Sequence, residues 1–364
     1  MRILHTEASC GWGGQEIRIL EEASGLIARG HDVSLACPRQ ARIFAEAGRY
    51  GVPAAALPIG RKNLRGLLAL RSYIARCRPD ALNTHSSTDS WLASLACQTL
   101  KNAPPIVRTR HISSAIPANA SSRWLYTRAV SHVVTTGEAL RRQVVKQAGA
   151  DPARVSSVPT GVDPDRFKPG DSIENRRRLG LDPDKHYIGI VATLRSWKGH
   201  LYLLDAFTEL DAAGWNLLIV GGGPMRENIE ARVGELGIAG RTILAGQQRN
   251  PEDWLRAMDI FCLPSYANEG VPQAMLQAMF TALPIITTPV GAILEAVSDG
   301  ETALVVPARD APGLADALRR LVQAPLLGAG LGQAARGRAI ARFSRAAMLD
   351  RMETVFAAAV GSRA

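Results

Sequence analysis

Short runs of Val, Ile and Leu alternate along the chain with longer stretches in which apolar residues recur every three or four positions. Apolar runs without interleaved polar residues suit parallel strands covered on both faces. In the first half they predict strands at Arg2–His5, Asp32–Ala36, Ala81–Thr84, Ile106–Thr109 and His132–Thr135. In the second half they predict strands at Tyr187–Ala192, Asn216–Val220, Thr242–Ala245, Ile260–Leu263, Pro284–Thr287 and Ala303–Val305. Helical stretches such as Glu16–Arg29 and Leu201–Ala213 fall between them. This βαβα order predicts an α/β protein of two Rossmann-like, doubly wound parallel-sheet domains. The segment 159–170 carries three prolines and two glycines, which disfavour helix and strand and mark a linker. Domains are therefore expected over 1–160 and 161–345, with a final helix over 346–364 packing back on the first.

The length of 364 residues agrees with two cores rather than one. Hydrophobic residues at 46% and charged residues at 21% are ordinary for a globular protein. No apolar run reaches the length of a membrane span, and the N-terminus lacks the apolar core of a signal peptide. A cytoplasmic protein, working at the inner face of the cytoplasmic membrane, is expected. The five cysteines are scattered, with no Cys-x-x-Cys pair and no clustered histidines, which argues against a zinc site and a disulfide framework. The net charge of +10 is uneven: up to Asp165 there are 21 Lys and Arg against 12 Asp and Glu, and beyond it 22 against 21. The basic first half favours an anionic partner, and without a stacking-aromatic or helix-turn-helix signature nucleic acid is not expected.

In open parallel sheets ligands bind at the carboxyl ends of the strands, where glycine-rich turns meet helix N-termini. Four segments occupy such places. The first runs Ser9-Cys-Gly-Trp12-Gly13-Gly14-Gln15; it reads either as a loop near donor phosphates and acceptor or as a plain tight turn. The second, Thr193-Leu-Arg195-Ser-Trp-Lys198-Gly199, puts two cations at a strand end, where they can converge on a diphosphate or form a solvated basic turn. The third is Gly221-Gly222-Gly223-Pro224, a turn without the Gly-x-Gly-x-x-Gly spacing of a dinucleotide site. The fourth is Glu269-Gly270-Val271-Pro272, followed by Gln277. There a helix opening near Pro272 leaves backbone N–H groups unpaired, and Glu269 either binds sugar hydroxyls or caps the helix. His85 and His111 end strands of the first half and are candidates for shaping the acceptor side and for chemistry, respectively.

Together with Gly161-Val162-Asp163 and Phe167, these segments, in this order, resemble glycosyltransferase family 4 over nearly the whole length. The resemblance implies the GT-B fold, two Rossmann-like domains facing across a cleft, and transfer with retention of anomeric configuration. It implies that the first domain serves the acceptor and the second the nucleotide-sugar donor. Glu269 would contact the donor sugar with Gly270, Val271 and Pro272 around it. Arg195 and Lys198 would hold the diphosphate, Gly13, Gly14, Gly222 and Gly223 would line the donor site, and His111 would help stabilise the transition state. His85 and Trp12 would lie on the acceptor side. The family's second glutamate is Gln277 here, which keeps hydrogen-bonding capacity for a ribose but not charge.

Neither metal nor other cofactor is expected, and Arg195, Lys198 and helix N-termini would stabilise the leaving diphosphate. The expected reaction moves a hexose to a glycan or lipid-linked acceptor, anionic if the charge is a guide, in lipopolysaccharide or other surface-glycan assembly. A nucleotide-sugar epimerase and a non-catalytic nucleotide-sugar-binding protein are the alternatives. The segment 61–78 holds six basic residues and no acid, with Leu64, Leu67, Leu68 and Ile74 largely on one helical face. It reads as a helix in peripheral contact with an anionic membrane or as a sheet-packing helix with a solvated basic face.

Overall fold

Every apolar run named above forms a strand in the computed structural model, which describes all residues except Ser113, Asp211, Ala212, Arg363 and Ala364. The chain divides into two compact units, Met1–Gly161 with Arg345–Ala364, and Val162–Ser344. The crossing at Gly161–Val162 lies in the Pro/Gly segment, and the Arg345–Gly361 helix belongs to the first unit.

The first unit holds β1 (Arg2–Thr6), β2 (Asp32–Cys37), β3 (Ala54–Ala56), β4 (Ala81–Thr84), β5 (Ile106–Arg110), β6 (His132–Thr135) and β7 (Val155–Ser157). They form one parallel sheet in the order β3-β2-β1-β4-β5-β6-β7. Strands β3 and β7 were not predicted. Each is a three-residue edge strand, Ala-Ala-Ala and Val-Ser-Ser, too short and too weakly apolar to stand out. Successive strand residues face opposite sides, so Ile3, Leu35, Val107 and Val134 pack one core while Leu4, Leu82, Ile106 and Val133 pack another. The first core is closed by Ile19 and Leu26 of the Gly14–Ala28 helix and by Met352 and Phe356 of the last helix. Arg29 Nη1 fixes that last helix further through Glu353 (2.6 Å) and Asp350 (2.8 Å).

The Leu64–Cys77 helix closes the second core through Gly66, Leu70 and Ile74. The predicted apolar face of Leu64, Leu67, Leu68 and Ile74 is therefore shifted. Gly66 lets the helix approach the Pro58 carbonyl, which a Cβ would meet at 2.8 Å; the helix packs inward through Leu70 and Ile74, and Leu64 is 67% and Leu68 55% exposed.

The second unit holds β8 (His186–Val191), β9 (Trp215–Val220), β10 (Thr242–Gly246), β11 (Ile260–Leu263), β12 (Ile285–Thr287) and β13 (Leu304–Val305) in the parallel order β10-β9-β8-β11-β12-β13. The helix expected over Leu201–Ala213 spans His200–Thr208 and ends earlier, with Glu209, Leu210 and Ala213 outside it; positions 211 and 212 lie outside the described residues. No helix among the described residues is long and apolar enough to cross a membrane. None of the five cysteines forms a disulfide among the described residues.

In each sheet the strand order reverses once, between β1 and β4 and between β8 and β11. Loops leaving the carboxyl ends of two such strands diverge to opposite faces and open a crevice. Residues 7–13 and 85–86 flank the crevice of the first unit, and 192–199 and 264–272 that of the second.

Candidate functional site

In the second unit the loops after β8 and β11 meet through one ion pair. Lys198 Nζ lies 2.7 Å from Glu269 Oε1, and Ser265 Oγ donates to the same oxygen at 2.6 Å. Glu269 is buried and Lys198 largely so, with side-chain exposures of 5% and 18%. Oε2 of Glu269 receives no hydrogen bond among the described residues and stays open to a ligand donor. Two backbone devices hold this geometry. Gly199, at φ +78°, passes so close to Pro264 that a Cβ would fall 2.0 Å from its carbonyl oxygen. Gly291 likewise lies against the Glu269 carbonyl, where a Cβ would come within 2.0 Å. Asn268 takes a left-handed φ of +57°, a conformation Asn tolerates better than most residues, and so turns the chain into Glu269. The Gln273–Phe280 helix follows, and the N–H groups of Gly270 and Val271 before it meet no protein acceptor among the described residues.

In the first unit the crevice is filled by a buried polar network. His5 Nδ1 is 2.9 Å from His85 Nε2, and His85 Nδ1 is 3.1 Å from His111 Nε2. Burial, with the positive field of Arg18 and of neighbouring rings, holds the His5 ring down to about 3 and those of His85 and His111 well below the usual histidine value. All three are therefore neutral near pH 7, each carrying one N–H donor and one acceptor nitrogen, and His85 uses both. The tautomer of His111 is thus tied to that of His85, and through it to His5, whose Nε2 is buried without a partner. Behind the chain, Arg18 and Glu22 form a fully buried pair at 3.5 Å, and Asn83 Nδ2 donates to Glu22 Oε1 at 3.1 Å. Glu7, directly after β1, accepts the Ser9 N–H at 2.6 Å and the Gln15 amide. Burial and the nearby Asp89 carboxylate raise its carboxyl to about 8.

Two family models match this chain: one described as Glycosyltransferase Family 4 over residues 12–166, and one described as Glycosyl transferases group 1 over residues 185–324. The chain belongs to glycosyltransferase family 4. Among curated relatives, the lipopolysaccharide core biosynthesis mannosyltransferase LpsB of Rhizobium meliloti is 35% identical over 43% of this chain and 47% of its own length. A D-inositol 3-phosphate glycosyltransferase of Catenulispora acidiphila is 34% identical over 50% of this chain and 46% of its own. The matched part thus spans about half the length of these relatives. A solved structure of Anabaena HepE with UDP superposes with a TM-score of 0.86 at 18% identity, covering 98% of this chain and all of that one. That likeness shows the fold, GT-B.

Set on this family 4 fold, the predicted residues separate into groups. Lys198, Glu269, Gly270, Val271 and Pro272 come together at the β8/β11 crevice. Arg195 does not join them: it is exposed, its guanidinium carbon 5.7 Å from the Trp197 ring centre, while Lys198 is taken up by Glu269. Gly222 and Gly223 serve the turn above β8, since Leu194 N–H donates to Gly222 O at 3.0 Å and a Cβ on Gly223 would lie 2.7 Å from Leu194 O. Gln277 is buried within the 273–280 helix. A cavity of about 440 Å³ adjoins Ser196 and Tyr266 but is lined by the Asp205–Arg232 pair and reaches neither Lys198 nor Glu269.

In the first unit His85 and His111 are brought together, as described. Gly13 caps the Gly14–Ala28 helix and Gly14 begins it, so both stand beside the loop wrapped around Glu7. Trp12 packs against the core with the Arg42 guanidinium over its ring at 5.1 Å. Sequence reasoning missed His5, Glu7, Arg18, Glu22 and Asp89. The available signal was placement: Glu7 directly follows the first strand, and Arg18 and Glu22 occupy i, i+4 positions on the inward stripe of a helix, where apolar residues are expected.

Proposed function

We propose that this protein is a retaining, metal-independent glycosyltransferase that moves a hexose from a nucleotide-sugar donor to a glycan or lipid-linked, anionic acceptor in surface-glycan assembly. The observation that carries the reading is the Lys198–Glu269 pair at the β8/β11 crevice, beside the unpaired N–H groups of Gly270 and Val271. Those N–H groups and Lys198 present positive charge where a diphosphate would leave, and Glu269 Oε2 is free to accept from a sugar hydroxyl. Arg195, on an exposed flexible stem, is free to swing onto the same diphosphate. His111 is the first unit's group assigned to the chemistry, supplying a neutral imidazole. The names of the curated relatives support sugar transfer in lipopolysaccharide core assembly or onto a phosphorylated polyol.

The test is transfer from a panel of UDP-, GDP-, ADP- and CMP-hexoses to core-oligosaccharide acceptors in the presence of EDTA, with the product anomer read by proton NMR. Retained configuration and unchanged rate in EDTA are expected. An inverted anomer overturns retention, and complete loss in chelator overturns the metal-independent mechanism. The exposed Leu64 and Leu68, set among Arg61, Lys62 and Arg65, support peripheral contact with an anionic membrane. Flotation with vesicles containing phosphatidylglycerol should lose the protein on Leu64→Ser plus Leu68→Ser substitution.

A further inference from the structure

The first unit buries a positive charge that has no ion-pair partner among the described residues. Arg108 lies on β5 in register with Thr84, the last residue of β4, and is 6% exposed. Its guanidinium carbon sits 4.3 Å from the centre of the Tyr126 ring, it makes no hydrogen bond among the described residues, and Nη1 is wholly buried. Arg110, two residues on and facing the same side, lies 6.0 Å from that ring, donates to Tyr126 Oη at 2.7 Å and to Ser114 O, and keeps a buried, unpartnered Nε. The acid whose field reaches Arg108 is Asp89, and its carboxylate is already engaged by Thr6, Ser86 and the His85 N–H. A buried guanidinium without a partner is costly, and a second one beside it raises the cost.

The surroundings describe what would complete it. Lys62 is exposed at the rim, with Nζ 3.4 Å from Ser87 Oγ and 5.6 Å from the centre of the Trp91 ring. Burial and the charge of Arg108 hold its ammonium below the usual lysine value, which places the two cations within each other's field. Trp91 stacks on Trp124 with ring centres 5.7 Å apart, and both are half-buried. Cations at the floor and rim and an aromatic wall suit a ligand with an anionic group on a ring that has an apolar face.

We propose that Arg108, Arg110 and Lys62 form a subsite for a phosphate or carboxylate carried on a sugar, with the Trp91–Trp124 stack as the platform for the ring. The subsite deepens the acceptor side of the proposed reaction; it rests on that reading for the ligand's role as acceptor, not for its binding. Thermal unfolding of the full chain with inorganic phosphate, glucose 6-phosphate and glucuronate tests it, in the wild type, Arg108→Met and Arg195→Ala with Lys198→Ala. At least one sugar anion should raise the wild-type Tm more than inorganic phosphate does, and which one does so names the anion. The shift should survive the Arg195/Lys198 change, vanish in Arg108→Met, and leave that variant without ligand at least as stable as wild type. Lys62→Ala, at an exposed position, should weaken the same binding about tenfold, the worth of one charge-assisted contact. Equal shifts in Arg108→Met and wild type, a shift lost only with Arg195 and Lys198, or unchanged affinity in Lys62→Ala overturns the subsite. Because the readout is binding, Arg108-dependent shifts in a protein without transfer activity would overturn the proposed function and leave the subsite standing.

Discussion

The two sheets reverse their strand order in the same way and use the place differently. At the β1/β4 crevice the protein buries imidazoles, carboxyls and a guanidinium that face one another: His5–His85–His111, Arg18–Glu22–Asn83, and Glu7 with its loop. At the β8/β11 crevice it makes one ion pair, keeps Glu269 Oε2 and two backbone N–H groups open, and relies on close glycine contacts for shape. The first crevice ties most of its polar groups to one another and leaves His5 Nε2 over. The second is under-satisfied and suited to binding.

The contrast breaks most sharply at Arg18. Removing one partner of a fully buried pair leaves a charge uncompensated, so Arg18→Ala should cost about 3–5 kcal/mol of stability, measured by denaturant unfolding, whereas Arg18→Met with Glu22→Leu should recover most of it. Near-wild-type stability of the single variant would make the first network incidental. Glu269→Ala should do the reverse, lowering turnover about a hundredfold or more, on the order of 3 kcal/mol of transition-state stabilisation, with little change in folding. Normal turnover would remove Glu269 from the site.

Acid sharpens the comparison further. The rings of His5, His85 and His111 are held below their unfolded value of 6.5, so the unfolded state takes up protons first as pH falls. Their contribution is complete above pH 6.5 and is lost as the pH falls below it, down to about 3 for His5. Protonation of these rings should loosen the first crevice, read as lost hydrogen-exchange protection at β1, β4 and β5 at pH 5. Glu7 works the other way. With its folded value near 8 against 4.5 unfolded, its contribution is complete below 4.5 and falls as pH rises to 8. Glu7→Gln should thus gain on wild type across that window, and an unchanged pH profile would mean that Glu7 is solvated.

Much of the fold was legible because buried parallel strands advertise themselves as apolar runs; β3 and β7 escaped because three-residue edges of Ala and Ser carry no such signal. The second crevice was also legible. Its residues lie in short contiguous segments, Lys198–Gly199 and Glu269–Pro272, in the loops that follow two strong strands. The first was not, because its chemistry is assembled from single residues far apart in sequence. His5 and His85 are separated by 80 positions, and Arg18 hides in a helix whose period predicts an apolar side chain. The face of the 64–77 helix was misjudged for a related reason: Gly66 sets the line of approach, and a glycine carries no hydropathy signal.

The measurement that bears most directly on the account is a thermal-shift screen of the intact chain against UDP-, GDP-, ADP- and CMP-sugars and the free nucleotides. A donor held by the native state at a hundred times its dissociation constant adds about 2.7 kcal/mol. The account predicts a rise in Tm with one nucleotide class, lost in Lys198→Ala. No rise with any of them, or the same rise in Lys198→Ala, would contradict a nucleotide-sugar donor held at the Lys198–Glu269 crevice.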